Sequence, residues 1–400
     1  MVRPGPNPRP WLHPPGWHQR DHARNHRASI GSFMSDLDSL LSQLFGKEDA
    51  CAGENIDGTA WSRLVESDLT RVGIEDSLGG AGGDWSDAAT VTIRAAQAGI
   101  AAPLTECLFI ASHLAAKTGN TLPPGLVTAS VAARRTSTLT KTTRGWHLTA
   151  AFEKVPWGSV CDELWALVPT TSGKVAFVRV NRKDLVATPR LSLGTEPRDD
   201  LHVDTEIGVH NVMDEDVIDE VMLLGALGRS CQLLGALRSC LRLSHEYVLV
   251  RHQFRKPLAA HQIVQHTIAT IAEDAAAAES AVIAAVQQLP APGRSPAAPA
   301  VLAIAAAKVQ TSTAATKVAR AAHQLHGAMG LTAEHPLHFH STRLWSWRDE
   351  FGTEAHWSAQ IADLVRTTYA GDVWAALTVL SSGAALGGLA AAATSNLSKG

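Results

Sequence analysis

Cysteine is scarce in this chain, and its spacing argues against a cysteine-based site. The 400 residues contain five cysteines, and no two of them form a Cys-x-x-Cys pair. Their odd number also argues against a disulfide framework. Buried, reduced thiols in a cytoplasmic protein are the expectation that fits both facts. The cysteines are Cys51, Cys107, Cys161, Cys231 and Cys240.

The chain also lacks an excess of positive charge. Its 35 Lys and Arg residues nearly balance 38 Asp and Glu residues, so the formal net charge is −3. A nucleic-acid-binding surface needs a clear basic excess, so no nucleic-acid partner is expected. With 45% hydrophobic and 18% charged residues, the chain is too apolar for general disorder and can form a large core.

The two ends lack the features of a secretion signal and of a membrane anchor. Residues 1–33 are rich in Pro, Arg and His and contain no apolar run, which excludes a secretory signal. We expect this leader to be disordered and translation to start at Met34, with a transit peptide as the alternative. Residues 371–400 form an Ala- and Gly-rich tail in which Val373–Ser398 carries no charge. Few Leu or Val residues and no preceding basic flank argue against a membrane span.

Residues 34–125 have the pattern of an N-terminal helical domain. The glycine-rich run Leu78–Gly83 within it is predicted to be a loop. No strand precedes this run, so it is not a phosphate-binding loop. Helices are predicted on both sides of it, at Asp36–Phe45, Trp61–Leu69, Thr90–Gly99 and Leu108–Lys117.

Residues 126–218 predict a central β domain. Short runs either alternate or are apolar throughout, and Pro, Gly, Asn and Asp separate them. The clearest runs are Trp146–Thr149, Glu163–Val168 and Lys174–Val180. Strands this short favour a small sandwich or barrel.

Residues 219–370 predict long helices. Val264, Ile268, Ile271 and Ala275 follow steps of three and four, which is one face of a helix. Pro290–Pro299 interrupts the pattern, which resumes at Val301–His326 and again at Thr353–Tyr369. Long helices joined by short loops favour an antiparallel four-helix bundle. The predicted fold is therefore mainly α: a helical domain, a small β-barrel or sandwich, and a C-terminal bundle.

Two segments of the predicted bundle have features of a ligand site. Arg251–Leu258 lies between two helices, where Arg side chains and free backbone N–H groups bind phosphate well. Capping of a helix end by cations is the alternative. Gln324–Pro336 places small residues after a helix, which lets a ligand come close. A glycine helix cap is the alternative there.

Other motifs give weaker signals. The Glu-x-x-His motif of a di-iron bundle is absent, so no metal site is predicted for the histidines at 323, 326, 335, 338 and 340. The turn at His335-Pro336 should point them in different directions. Arg348–Glu354 either supplies a general base or forms a loop in which Thr353 caps the next helix. Gly228–Gln232 lacks the second glycine of a nucleophile elbow.

In this order, the segments from about Met34 to Tyr369 resemble the acyl-CoA dehydrogenase family of flavoproteins. The closest resemblance is to its divergent actinobacterial members that act on bulky acyl chains. Arg-x-Gln-Phe at Arg251–Phe254 and Gln-x-x-Gly at Gln324–Gly327 carry the resemblance as a pair. The family's N-terminal region is matched by Trp61 together with the downstream Leu78-Gly79-Gly80, and by Pro103–Glu106.

The resemblance implies an FAD cofactor, an acyl-CoA substrate and a homo-oligomer or hetero-oligomer. In the family's reaction an α proton leaves the thioester and a hydride passes from the β carbon to the flavin, while two hydrogen-bond donors hold the thioester carbonyl. The implied cofactor contacts are Arg251, Gln253 and Phe254 toward the FAD of a neighbouring subunit, with Gln262 nearby; Gln324, Gly327 and Ala328 on the adenosine and pyrophosphate side; and Thr353 and Glu354.

Three positions depart from the family pattern. Arg255 stands where a glycine normally follows Arg-x-Gln-Phe, and Thr128–Thr136 lacks the family's flavin-contacting loop. The usual base, a glutamate before Gly-Thr, is Phe351, and the alternative base position falls near Gly225. Glu350 is the adjacent acid and is therefore the predicted catalytic residue. Glu220, about one helical turn before Gly225, is the other acid within reach.

We therefore predict a cytoplasmic, FAD-dependent acyl-CoA dehydrogenase of lipid metabolism and fatty acid β-oxidation. The second hypothesis is a non-catalytic partner subunit of a heteromeric acyl-CoA dehydrogenase, which the phenylalanine at 351 favours. A helical scaffold without a cofactor is the third.

Overall fold

The computed structural model describes residues 37, 40, 41, 43–45, 58–123, 125–143 and 145–382. The predicted leader at 1–33, Cys51 and residues 383–400 of the predicted tail lie outside these ranges. Within the predicted helix Asp36–Phe45, the described residues are helical, and Leu37 and Leu41 are buried.

The N-terminal region is helical, as its pattern predicts. Its elements are α1 (Gly58–Glu66), α2 (Trp85–Gln97), a π-helical turn (Glu106–Ala111) and α3 (Ser112–Thr118). Helix α2 begins five residues before the predicted Thr90, because Asp84 and Asp87 form a capping box that fixes its first turn. The glycine-rich run is a loop, in which the Gly82 N–H donates to the Ile74 carbonyl at 2.7 Å.

The β domain is a sandwich of two four-stranded sheets, with strand orders β1-β4-β5-β8 and β2-β3-β7-β6. Leu148 and Phe152 of one sheet pack with Leu164 and Val178 of the other to form the core between them. The strands are β1 (Val127–Val131), β2 (Thr138–Thr142), β3 (Gly145–Pro156), β4 (Glu163–Pro169), β5 (Lys174–Asn181), β6 (Leu185–Thr188), β7 (Arg198–Ile207) and β8 (Val209–Asp214).

The β1-β4-β5-β8 sheet is covered on both faces. Its outer face, with Trp165 and Phe177, packs on Ile110 and Leu114 of the N-terminal helices and on Val221 of the first bundle helix. A sheet buried on both faces needs continuous apolar strands, which explains why Glu163–Pro169 does not alternate. The three parts of the chain therefore pack into one body around this sheet.

The C-terminal bundle is built from α4 (Asp216–Val250), α5 (Gln262–Gln287), α6 (Ala298–His326) and α8 (Glu354–Thr368). A hairpin, β9 (His252–Gln253) with β10 (Lys256–Pro257), joins α4 to α5. Two helices were not predicted: α7 (Leu337–Trp347), which precedes α8, and α9 (Val373–Ser382). No helix in the described part of the chain is long and apolar enough to cross a bilayer.

The four thiols in the described part of the chain are buried, as predicted. Cys107, Cys161, Cys231 and Cys240 are all buried and free. Burial raises the pKa of each of these thiols. They are therefore unreactive packing residues rather than nucleophiles.

Candidate active site

The two positions at which the family would place its base meet in space. Phe351 lies in the turn between α7 and α8 with a left-handed φ of 51°, and Gly225 lies on α4. A Cβ atom added to Gly225 would be 2.2 Å from Phe351 Cδ1, so only glycine leaves room for this ring. The Arg229 guanidinium lies 5.4 Å from the centre of the same ring. Neither Phe351 nor Gly225 can accept a proton.

Glu350, the predicted base, is held by two arginines. Arg198 Nε and Nη2 donate to its two oxygens at 2.9 and 3.1 Å, and Arg229 Nε donates to Oε2 at 2.7 Å. Burial acts to raise the pKa of this carboxyl, but the charges and hydrogen bonds of the two arginines outweigh it and lower the pKa to about 2. A base with so low a pKa and with both oxygens occupied takes a proton poorly. The contacts therefore weigh against the predicted catalytic role of Glu350.

This carboxylate belongs to a larger buried network that joins the three parts of the fold. Arg229 Nη2 donates to Glu106 Oε1 of the π-helical turn at 2.6 Å, and Arg198 Nη2 donates to Glu196 Oε2 at 3.0 Å. Sequence reasoning missed both arginines, because Glu350 lies 152 and 121 residues from them and Glu106 lies 123 residues from Arg229 in the chain. It also missed Glu196, which lies two residues from Arg198 but belongs to no recognised motif.

The turn that carries Glu350 and Phe351 is fixed by two further side chains. The buried Lys308 Nζ donates to the carbonyls of Trp347 and Arg348 at 3.0 and 2.7 Å and so caps the end of α7. On the other side, Trp357 Nε1 donates to the Phe351 carbonyl at 2.9 Å. These contacts hold Phe351 in a backbone conformation that is unfavourable for a bulky residue.

Glu220, the other acid considered, is engaged elsewhere. His113 Nε2 and Lys117 Nζ both lie 2.8 Å from its Oε2. Burial acts to raise its pKa, but the hydrogen bonds from His113, Lys117 and Ser295 lower it to about 2. This carboxylate links α3 to α4 and is unsuited to act as a base.

The Arg-x-Gln-Phe segment forms the β9–β10 hairpin and is exposed. Phe254 and Arg255 are its two turn residues, with φ of 52° and 65°. Such a turn normally favours Asn or Gly, so Arg255 occupies a strained position. The Phe254 side chain is 85% exposed. Within the described ranges, the side chains of Arg251 and Gln253 make no hydrogen bond or ion pair.

The two predicted cofactor segments are neighbours. Tyr247, one turn before Arg251, stacks on His326 with ring centres 4.5 Å apart. His326 directly precedes Gly327, which ends α6 with a φ of 61°. The end of α6, which carries Gln324, and the following Gly327 and Ala328 therefore lie near the last turn of α4, and all three residues are exposed.

The remaining predicted contacts lie at the starts of helices. Gln262 begins α5 and is exposed. Thr353 caps α8 by accepting a hydrogen bond from the His356 N–H at 3.3 Å, and Glu354 is the first residue of that helix. Both lie on the surface.

The predicted cofactor residues suit the nucleotide half of FAD better than its flavin ring. The unpaired Arg251, Gln253 and Gln324 offer the donors that a pyrophosphate and a nucleotide require. In the segment implied to contact the flavin, Thr128 instead donates to the Pro156 carbonyl at 2.6 Å, and Arg134 pairs with Glu215. The Thr128 hydroxyl and the Arg134 guanidinium are therefore engaged within the chain, which weighs against a fit of this segment to the flavin ring.

The histidines are closer together than the sequence predicts. The rings of His326 and His335 lie 4.9 Å apart, and His323 stacks on Trp345 at 5.6 Å. The prediction that all of them point in different directions is therefore wrong for His326 and His335. The described residues contain no group of three or more side chains able to hold a metal ion.

The stability of the chain should fall at mildly acidic pH because of His326. Burial is the main cause that lowers the pKa of this imidazole, and His335 and His323 add to the shift. The folded state therefore excludes a proton that the unfolded state binds below about pH 6.5, and stability is lost as the pH falls through that value. Urea unfolding at pH 7.5 and 5.5 measures the loss. We expect His326→Gln to reduce this loss of stability between pH 7.5 and 5.5 by at least about half. If the loss is the same in the variant, other groups cause it.

Comparison with known proteins finds chains of similar sequence and fold. Residues 216–355 match the family described as acyl-CoA dehydrogenase, C-terminal domain. The chain is 28% identical over 319 residues to the acyl-CoA dehydrogenase IpdE2 of Mycobacterium tuberculosis, covering 78% of this chain and 84% of that protein.

Solved structures share the fold. The ChsE4-ChsE5 complex from Mycobacterium tuberculosis matches with a TM-score of 0.74 and 19% identity, over 86% of this chain and 98% of that one. A variant of the Tcur3481-Tcur3483 steroid ACAD matches with a TM-score of 0.73 and 18% identity, over 85% and 99%. Residues 216–355 therefore match the acyl-CoA dehydrogenase C-terminal domain family, and the chain shares the fold of these solved structures.

Proposed function

We propose that this chain is a subunit of a heteromeric acyl-CoA dehydrogenase and contributes cofactor contacts but no catalytic base. The observation that carries the proposal is the packing of the Phe351 ring on Gly225. Oxidation of a CH–CH bond in an acyl-CoA begins with loss of an α proton, so a base must stand beside the substrate. In this chain the two expected positions are Phe351 and Gly225, and neither residue can accept the proton.

The exposed cofactor segments indicate what the chain contributes instead. Arg251 is a permanent, forked cation suited to a phosphate, and it stands free at the end of α4. Gln253 and Gln324 add amide donors beside it. FAD, when bound, supplies the acceptor for the hydride. Arg251, Gln253 and Gln324 would bind and orient its nucleotide half at a subunit interface.

Relatives make a mixed assembly reasonable. One structure that shares this fold is a complex of two named chains, ChsE4 and ChsE5. We infer a similar pairing here with a second acyl-CoA dehydrogenase chain that holds the flavin ring and the glutamate base. An acyl-CoA substrate follows from the family, and a cytoplasmic location from the buried, free thiols.

A self-sufficient enzyme with Glu350 as its base is the second candidate. This candidate is supported by the position of Glu350, which is adjacent to Phe351 in the chain. The two arginines that hold this carboxylate and its pKa of about 2 oppose it. We therefore assign Glu350 a positioning role: it anchors the turn that presents Phe351.

Flavin content tests the cofactor half of the proposal. The chain is coexpressed with a second acyl-CoA dehydrogenase chain that carries the glutamate base, and FAD is measured per purified complex. We expect Arg251→Ala to lower FAD occupancy at least about tenfold at limiting FAD, because a bond between a charged group and a phosphate is lost. Arg294→Ala removes an exposed arginine of the bundle and should change nothing. Equal FAD content in both variants, or failure of the two chains to associate, would contradict the proposal.

A further inference from the structure

One end of the helical bundle carries a concentration of exposed apolar side chains. Six of the fifteen large apolar residues that are exposed in the described part of the chain lie at this end. A surface on which such groups lie together marks a site of contact with another macromolecule. The six residues are Leu249 and Val250 at the end of α4, Phe254 in the β9–β10 hairpin, Ile263 at the start of α5, and Met329 and Leu331 after α6.

Ring contacts join these segments into one surface, which we call the apolar–basic patch. The Phe254 ring lies 6.0 Å from the ring of His261, the residue directly before α5. The stacking of Tyr247 on His326 brings the end of α6 to the last turn of α4. The six apolar side chains therefore belong to neighbouring segments rather than to separate parts of the surface.

The two residues at the tip of the hairpin are held at a conformational cost. Phe254 and Arg255 have φ of 52° and 65°, a region in which Asn and Gly are favoured. The Phe254 side chain is 85% exposed, so packing within the described part of the chain does not offset this cost. Backbone strain of this kind is concentrated at functional sites. An aromatic ring presented in this way suits a hydrophobic pocket on a partner.

The charge of the patch determines what can cover it. Residues 247–263 contain no Asp or Glu and three cations, Arg251, Arg255 and Lys256, all of which are exposed. Glu334 adds one acid in the segment after α6, so the patch stays positive. Two copies of this chain related by a two-fold axis would bring the same patch face to face, and these cations would repel one another. A different chain with carboxylates around an apolar surface is therefore the better partner.

We propose that the apolar–basic patch binds the second acyl-CoA dehydrogenase chain, which presents an apolar pocket to Phe254 and carboxylates to Arg255 and Lys256. The inference rests on the proposed mixed assembly and adds the surface through which it forms and the charge of the partner. Phe254 and Ile263 exclude water from the centre of the contact, while the cations lie at its rim. Opposite charge on the partner then favours the mixed pair over pairing of this chain with itself.

Sedimentation velocity of this chain mixed with the second chain, at saturating FAD, tests the surface. We expect Ile263→Asp to weaken association at least about tenfold, because it places a charge in the apolar centre. The double variant Arg255→Glu and Lys256→Glu should weaken association at least about tenfold as well, because carboxylates would then face carboxylates. Ile283→Asp changes another exposed isoleucine of α5 and should associate as the unmodified chain does. All these side chains are exposed, so folding should be unchanged, which circular dichroism checks.

The contrary outcomes separate this inference from the mixed assembly itself. If the two chains associate and either patch variant binds as tightly as the unmodified chain, the inference fails while the mixed assembly stands. If the two unmodified chains do not associate, both fail. Self-association of this chain that Ile263→Asp abolishes would show that a second copy covers the patch and would overturn the inference. Binding to phosphatidylserine vesicles that both patch variants lose, with association of the chains unchanged, would assign the patch to a membrane and overturn it as well.

Discussion

Acyl-CoA-dependent bleaching of flavin is expected only when this chain is combined with a second chain that carries a glutamate base. The rate should exceed that of the chain alone by at least about 10²-fold, because a positioned general base contributes about 10²–10⁴-fold. The chain alone has Phe351 on Gly225 where the base would stand, and its nearest acid is held by Arg198 and Arg229. Anaerobic absorbance at the flavin band, with a panel of acyl-CoA substrates, measures the rate.

Two variants of this chain separate the alternatives. Phe351→Ala removes the ring without adding a base, and we expect it to leave the rate of the mixed assembly within about twofold, far below the effect of losing a base. Phe351→Glu restores an acid at the family's position at no added backbone strain, since both residues have side chains. If the chain alone bleaches flavin and Glu350→Gln abolishes it, Glu350 is a base after all. A gain by the chain alone on Phe351→Glu would show that it holds a flavin of its own.

Replacing Glu350 with alanine is expected to lower the free energy of unfolding by about 3–5 kcal/mol. Removing one carboxylate from a largely buried ion-pair network leaves the network with an uncompensated positive charge, although Arg229 keeps Glu106 and Arg198 keeps Glu196. Here Arg198 and Arg229 would both lose a partner, and Arg229 is 1% exposed. The effect is structural, so it should appear in urea unfolding whether or not a substrate is present.

An exposed ion pair gives the control. Glu246 pairs with Arg242 on the surface of α4, and Glu246→Ala should lower the free energy of unfolding by no more than about 0.5 kcal/mol.

The Glu350 carboxylate should also make the stability of the unmodified chain depend on acid pH. The Glu350 pKa is lowered to about 2, so its stabilising contribution is complete above about pH 4.5 and is lost as the pH falls toward 2. A loss below about 1 kcal/mol in Glu350→Ala would contradict the network.

Local patterns predicted most of the elements and missed particular ones. Long helices and short apolar strands show in the spacing of apolar residues, and the predicted bundle and sandwich are found. Helix α7 was missed because its sequence, LHFHSTRLWSW, is dominated by His, Ser, Thr and Trp. It forms because Leu344 and Trp347 are buried in the main core and Lys308 caps its end. These contacts are tertiary and leave no periodic signal.

The sequence by itself determined the order of the three parts, the family resemblance, the two segments predicted to contact a cofactor and the absence of an acid at the usual base position. These are local properties that depend on residue type and spacing. Only the tertiary structure decided the state of Glu350, whose arginine partners lie 152 and 121 residues away in the chain. A pKa is set by charges and burial in space, so a carboxylate that looks available in the sequence becomes a fixed anion in the fold. The contact between Phe351, in the turn before α8, and Gly225, on α4, was decided in the same way, because packing rather than spacing brings the two residues together.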